Sequence, residues 1–243
     1  MREALERGDA HLERVYLQQN AHLPDFHRAA RSAGVPIQFV PGQRLDRLAP
    51  GLAHQGVVAV LSVRPYLDVD DMLAEIAPTY DEVIARSPLL LALDGMEDPH
   101  NLGAILRSAV AAGVAGVILP HQGVAPLGAV ALKASAGSAL RIPVARVPKL
   151  TLTIDALKER GYWIVGAAGD GDSTYSGVQW NRPTVLIIGG EGEGLSKGVR
   201  SACDVVASIP LPGDVESLNA SVAAGIFLFE AVRQRQSAVS AAE

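Results

Sequence analysis

From Leu89 onward this chain repeats one unit: a short, almost wholly apolar run, a turn, then a helical pattern. The apolar runs are Leu89 to Leu93, Gly116 to Leu119, Ile142 to Val147, Trp163 to Ala167, Val185 to Ile188 and Val205 to Ile209. Helical periodicity follows at Leu102 to Ala112, Pro126 to Ser135, Leu150 to Arg160 and Ser196 to Ala202, and in a long last helix, Leu218 to Arg235. Only the loop before Val185, rich in Gly, Asp, Ser and Thr, interrupts the rhythm. Strands apolar on both sides need cover on both faces, so the pattern predicts an α/β fold with a parallel sheet. Ligands of such sheets gather outside the carboxyl ends of the strands.

Upstream lies a smaller α/β unit, residues 1–64. It has a short strand at Leu12 to Gln18, a helix at Pro24 to Ala33, and β-branched runs opened by Gly34 and Gly56. Residues 65–87 read as an acidic linker with its own helix, Val69 to Ala77. Residues 88–236 form the second domain, and 237–243 a polar, flexible tail. The longest apolar runs are far too short to cross a bilayer, and the charged N-terminus has no apolar signal core. Cys203, the single cysteine, excludes an internal disulfide and reads as a small packed residue. These features together point to a cytoplasmic protein without a membrane partner.

The net charge of −5 does not advertise a nucleic-acid binder, but its distribution is uneven. No Asp or Glu occurs from Pro99 to Ile154, while Arg107, Lys133, Arg141, Arg146 and Lys149 do. Residues 65–98 are strongly acidic. A locally positive face attracts phosphate whatever the total charge; scattered solvated charge is the alternative.

Three segments carry the candidate chemistry. In Asp98-Pro-His-Asn101-Leu-Gly103-Ala-Ile-Leu-Arg107, a helix starting near Leu102 puts Asn101 at its N-cap. Gly103 then leaves room over the first turn. Arg107 on this apolar helix is costly to bury without an anion, whether a phosphate, a ligand carboxylate or a salt-bridge partner. The second segment, Gly189-Gly-Glu-Gly-Glu-Gly194-Leu-Ser, sits where a nucleotide loop would. It lacks the Lys-Ser/Thr of a phosphate loop and the G-x-G-x-x-G spacing of a dinucleotide fold. Its Glu191 and Glu193 would repel phosphate. A neutral or cationic ligand such as the sulfonium of S-adenosylmethionine fits better; a tight turn with exposed glutamates is the other reading. In the third segment, Pro210, Pro212 and Gly213 end a strand, and Ser217-Leu-Asn219 opens the last helix. That helix runs Ala220, Val222, Ala223, Ala224, Gly225, Ile226, Phe227, Leu228 and Phe229 with no polar stripe, so a partner chain is expected to cover it.

Together the segments resemble the SpoU (TrmH) family of RNA 2′-O-ribose methyltransferases of the SPOUT superfamily. The family's Asn-x-Gly-x-x-x-Arg core is matched by Asn101, Gly103 and Arg107. Its Gly-x-Glu-x-x-Gly turn is matched by Gly189, Glu191 and Gly194. Its third motif is matched by Pro210, Gly213, Ser217, Leu218, Asn219 and Ser221. The likeness spans Leu89 to Arg235. It implies a C-terminal trefoil knot, a homodimer and S-adenosyl-L-methionine as cofactor, held near Gly189, Ile209 and Leu218, with Ala167 on a neighbouring loop. The N-terminal unit is similar to a ribosomal-protein-like RNA-binding domain of the branch that methylates a guanosine of 23S ribosomal RNA, of which His54-Gln55-Gly56-Val-Val-Ala is typical. Relatives begin with a strand and a Gly-x-x-Pro-Val-x-Glu-Ala-Leu segment. Here the chain starts at Met1-Arg-Glu-Ala-Leu, so the first strand is expected to be missing, either through a misassigned start or through a trimmed domain.

The resemblance makes Arg107 the central catalytic residue. A guanidinium stays protonated, so phosphate anchoring and stabilisation of the developing alkoxide suit it better than a base role. Asn101, Ser217 and Asn219 would position ribose and cofactor, and Glu191 would orient Arg107. No metal is needed, and the histidines show no ligand spacing. Three other readings compete: a transfer-RNA 2′-O-methyltransferase, a dinucleotide-dependent oxidoreductase, and a non-catalytic RNA-binding or ribosome-assembly protein.

Overall fold

The computed structural model describes residues 12–19, 24–32, 35–51, 53–190, 192 and 194–240. The chain folds as two units: Met1–Pro65 with Pro126–Ala129, and Tyr66–Ala125 with Val130–Glu243.

The small unit is built on β1 (Leu12–Gln18), which pairs parallel with β2 (Ile37–Val40) and antiparallel with β3 (Val57–Leu61). Period-two alternation splits β1 between two faces. Val15 and Leu17 pack with Ala30 of helix α1 (Pro24–Ser32) and with Val57. Tyr16 points the other way, against Val40, Val58 and Leu45 of helix α2 (Gly42–Leu48). The sequence pattern did not predict α2, because Leu45 is its only buried side chain. The implied loss of a first strand concerns residues 1–11, which lie outside the described residues.

The large unit holds a seven-stranded sheet in the order β6-β5-β4-β9-β7-β10-β8. Its strands are β4 (Leu89–Asp94), β5 (Gly116–Pro120), β6 (Val144–Val147), β7 (Trp163–Ala167), β8 (Ser173–Thr174), β9 (Thr184–Gly189) and β10 (Val205–Ser208). Every neighbouring pair is parallel, as the apolar runs required. Helices α3 (Val69–Ile76), α4 (Tyr80–Arg86), α7 (Leu150–Glu159) and α8 (Lys197–Ala202) cover one face. There Met72, Val83, Ile154, Leu157 and Val199 pack on Leu90, Ala92, Ile118, Val185 and Ile187. Leu91 and Leu93, one residue out of step, face the opposite way. Helix α5 (Pro99–Ala111) and helix α9 (Ala220–Ser240) pack on each other, and α9 also touches β9. Leu102, Ile105 and Leu106 of α5 are fully buried, at about 1.5–3 kcal/mol each.

Three expectations change. Residues 65–87, read as a linker with one helix, hold a second helix as well. They carry two helices whose Met72, Leu73, Ala77 and Val83 lie in the large unit's core, and Asp70 pairs with Arg160 at 2.8 Å. The acidity lies on the outer side only. The polar stretch after Gln236 continues α9 as far as Ser240, since Ser, Ala and Val do not stop a helix already started. The segment Pro126 to Ser135 is helical only over α6 (Ala129–Ala134). No helix among the described residues is long and apolar enough to cross a membrane.

Candidate active site

At the carboxyl ends of β7, β9 and β10 the backbone folds into a cleft of about 980 Å³. Its walls are the turn after β9, the loop after β7, and the segment that leads from β10 to α9. Glycine lets these walls approach. A Cβ on Gly189 would collide with the Gly194–Leu195 peptide, whose nitrogen would be 2.5 Å away. One on Gly190 would strike the backbone of Gly95, in the turn after β4. The turn closes on itself through Gly194 N–H donating to the Gly190 carbonyl at 3.1 Å, with Gly192 and Gly194 at positive φ. Asp94, the last residue of β4, accepts a hydrogen bond from Ser196 N–H at 2.7 Å. The turn is thereby tied to the neighbouring strand.

Gly189, Ile209, Leu218 and Ala167 all line this cleft, as do Ser217 and Asn219. Asn219 and not Ser217 caps α9: its Oδ1 accepts from Ser221 N–H at 2.9 Å and Ser221 Oγ–H at 2.6 Å. Its Nδ2 donates to Asn101 Oδ1 at 3.0 Å. One side chain therefore starts the last helix, lines the cleft and grips α5 across 118 positions of sequence.

Helix α5 departs from expectation at three positions. Asp98 is its N-cap and Pro99 its first residue, with Asp98 Oδ1 accepting from His100 N–H at 3.0 Å. Aspartate followed by proline outcompetes an asparagine further on, so Asn101 lies inside the first turn, buried. Gly103 opens no space; a Cβ there would sit 2.6 Å from Ala134 Cβ and 2.5 Å from the Ala131 carbonyl oxygen. Arg107 is exposed, so the single chain bears no cost for burying it. Six residues on from Asn101, it is turned about 120° around the helix and about 9 Å along it, and it is not among the residues lining the cleft. Glu191 and Glu193 lie outside the described residues.

Charge at the cleft comes from residues that the sequence motifs did not single out. Asp170, Glu216 and Arg200 line it. Arg200 Nη1 donates to Asp170 Oδ1 at 2.8 Å and thereby holds that carboxyl below the usual carboxylate range. This pair neutralises the one arginine and leaves Glu216, a balance that favours a cationic ligand. Only the Gly-Asp-Gly-Asp run at 169–172 hinted at this loop. Behind the wall, Cys203 Sγ is close enough to Gly166 that a Cβ there would come within 2.7 Å of it. Burial pushes the Cys203 thiol up to about 11. Glycine-cradled backbone, a cleft of this size and an acidic lining suit a bent nucleoside with a sulfonium.

Comparison with known proteins matches residues 88–229 to the SpoU rRNA Methylase family and residues 1–67 to the RNA 2′-O ribose methyltransferase substrate binding model. The chain is 43% identical over 239 residues to the 23S rRNA (guanosine-2′-O-)-methyltransferase RlmB of Photorhabdus laumondii, covering 96% of this chain and 94% of that one. It is 44% identical over 236 residues to RlmB of Escherichia coli, covering 95% and 94%. The SpoU methyltransferase AviRb from Streptomyces viridochromogenes, solved in complex with the cofactor AdoMet, superposes with a TM-score of 0.63 at 29% identity, covering 97% of this chain and 88% of that one. The chain belongs to the SpoU rRNA methylase family.

Proposed function

We propose that this protein transfers a methyl group from S-adenosylmethionine to the 2′-hydroxyl of a guanosine ribose in 23S ribosomal RNA. The observation that carries the reading is the Asn219–Asn101 bond, which joins the glycine-walled cleft to the helix of Arg107. The substrate-binding match over residues 1–67, and relatives named for 23S rRNA, favour ribosomal over transfer RNA.

The cofactor supplies a methyl group activated by its sulfonium. Backbone at Gly189, Ile209 and Leu218, with Ala167 beside it, holds the nucleoside. Asn101 and Asn219 fix the separation between cleft and α5, and Ser217 faces the ribose. Arg107 anchors the substrate phosphate and stabilises the alkoxide that develops at the 2′-oxygen, a task for a preorganised cation. Glu191 orients that guanidinium. The charge of Arg107 eases loss of the 2′-hydroxyl proton, which passes to water.

A second copy of the chain completes the site. Val222 and Phe229, each 50% exposed, and half-buried Ile226 recur at i, i+4 and i+7 on α9. This open apolar stripe fits a homodimer contact. The chain from β10, outside β7, returns to α9 against α5, a path in keeping with the trefoil knot. Residues 1–64 bind RNA, residues 88–236 carry the transfer, and the protein works in the cytoplasm. The test is transfer of labelled methyl from S-adenosylmethionine to 23S rRNA and tRNA transcripts, with the product mapped by 2′-O-methyl-sensitive cleavage. Label on tRNA alone, or on a base, would overturn the assignment.

A further inference from the structure

The small unit contains a turn whose residue choice works against its own backbone. Gln55 and Gly56 have φ of 49° and 81°, and Val57 N–H closes back onto the His54 carbonyl at 2.9 Å. Two central residues at positive φ under an i to i+3 bond are the marks of a type I′ turn, which favours Asn-Gly or Gly-Gly. Glutamine has neither the freedom of glycine nor asparagine's short side chain, and it sits uphill there. Among the described residues the other non-glycine residues at positive φ, Ser87 and Ala136, follow helices α4 and α6, where a left-handed residue commonly ends a helix. Gln55 has no such excuse, and its side chain is exposed.

The turn is also braced from below. His54 Nδ1 accepts from Gly56 N–H at 3.0 Å. The ring proton therefore sits on Nε2, which donates to Asp46 Oδ1 of α2 at 3.0 Å. The His54 side chain is only 16% exposed. A nearly buried imidazole thus pins both the turn and the helix beside it while the next residue projects into solvent. Arg44 and Arg47, flanking Asp46 on α2, are exposed too. From Arg14 to Arg64 the chain carries six arginines, no lysine and two acids, although the whole protein is acidic.

We infer that Gln55 is a specificity-determining residue that reads the hydrogen-bonding edge of an unpaired RNA base, with the His54–Asp46 brace holding it in place and the α2 arginines attracting the phosphates beside it. An exposed amide offers a donor and an acceptor on one rigid plane, the pattern needed to pair with a base edge. RNA is read in sequence through unstacked bases of this kind. A strained backbone that persists under an exposed polar side chain is the signature of such use. The inference rests on the RNA substrate class proposed above.

The experiment compares Gln55→Gly and Gln55→Asn with the unaltered chain in three measurements: melting temperature, direct binding to a 23S rRNA fragment, and KM for that RNA. Both variants should melt within about two degrees of the parent or above it. Gln55→Gly should weaken RNA binding and raise KM for RNA about tenfold, with kcat and KM for S-adenosylmethionine unchanged. Unchanged RNA affinity in Gln55→Gly overturns the inference, and so does a marked fall in melting temperature for both variants, which would make Gln55 structural. If the parent chain binds RNA and loses affinity in the variant but transfers no methyl group, the proposed reaction fails and the role of Gln55 stands.

Discussion

The glycine-walled cleft and helix α5 meet through the Asn219–Asn101 hydrogen bond, yet they are made by opposite means. The cleft is backbone. Gly189 and Gly190 touch neighbouring peptides, Gly192 and Gly194 turn the chain, and Asp94 secures the result. Helix α5 contributes side chains: Asn101 inward to Asn219, Arg107 outward to solvent. A backbone site is complete as soon as one chain has folded. A side-chain site on an exposed helix waits for substrate or a second subunit. Arg107 is exposed, so it needs no partner to be stable in the folded chain.

The largest effect should come from breaking the backbone site. Gly189→Ala forces a methyl group into the Gly194–Leu195 peptide, and a backbone neighbour cannot rotate aside. Overpacking of this kind costs about 1–3 kcal/mol or more. The melting temperature should fall by at least about 2 °C, and calorimetric binding of S-adenosylmethionine should disappear. A folded variant that binds cofactor normally would show that the turn is not the cradle.

Arg107→Ala is the reciprocal break. It should lower the methyl-transfer rate about a thousandfold and leave melting temperature and cofactor affinity within error, because Arg107 is exposed and away from the cleft lining. Loss of cofactor binding in this variant would erase the distinction between the two regions.

How far the sequence showed this division depends on what each residue does. The parallel sheet was legible because β4 and β9 are buried on both faces, and only a continuous apolar run does that. Gly189, Ile209 and Leu218 were named through the family resemblance, and the fold brings them to one cleft. Asn101 was misplaced by three residues because Asp98-Pro99 is the stronger start signal, and a one-dimensional pattern does not weigh competing caps. Gly103 was misread because the same glycine serves open space and close contact alike; only the position of Ala134 decides. Helix α4 was missed although Thr79 caps it, with Glu82 N–H donating to Thr79 Oγ1 at 3.3 Å. The acidity around it masked the periodicity. Asp170 and Arg200 meet across 30 positions, a pairing no local pattern encodes.

The α9 stripe sharpens the comparison at intermediate scale. Phe229→Asp places a charge in the proposed homodimer contact, where loss of one aromatic anchor is worth about 2 kcal/mol or more. Self-association measured by sedimentation should weaken at least about thirtyfold. S-adenosylmethionine binding should change less than methyl transfer does, since the cleft is made within one chain. Equal losses of both would place the second copy at the cofactor and not at Arg107.

The smallest effect tests how firmly the cleft wall stays shut. Cys203 donates its thiol proton to the Val199 carbonyl at 3.2 Å, and burial raises its pKa to about 11 against an ordinary 9. The sign is that of an acid whose neutral form is favoured by folding. The contribution is complete below pH 9, where the unfolded thiol would begin to ionise, and is lost as pH rises toward 11. At pH 8 only about one thiol in a thousand is thiolate, the form that reacts. Alkylation of the folded protein should therefore be slow at pH 8 and climb about tenfold per pH unit, still rising at pH 10 without the plateau of an exposed cysteine. Saturating S-adenosylmethionine should slow it further, by a few-fold at most, because a cofactor in the cleft would brace Leu195, which lines it and packs beside Gly166 and Cys203. Labelling that is fast at pH 8 and indifferent to cofactor would mean that the wall opens freely, and that the backbone site is no more rigid than the helix it was contrasted with.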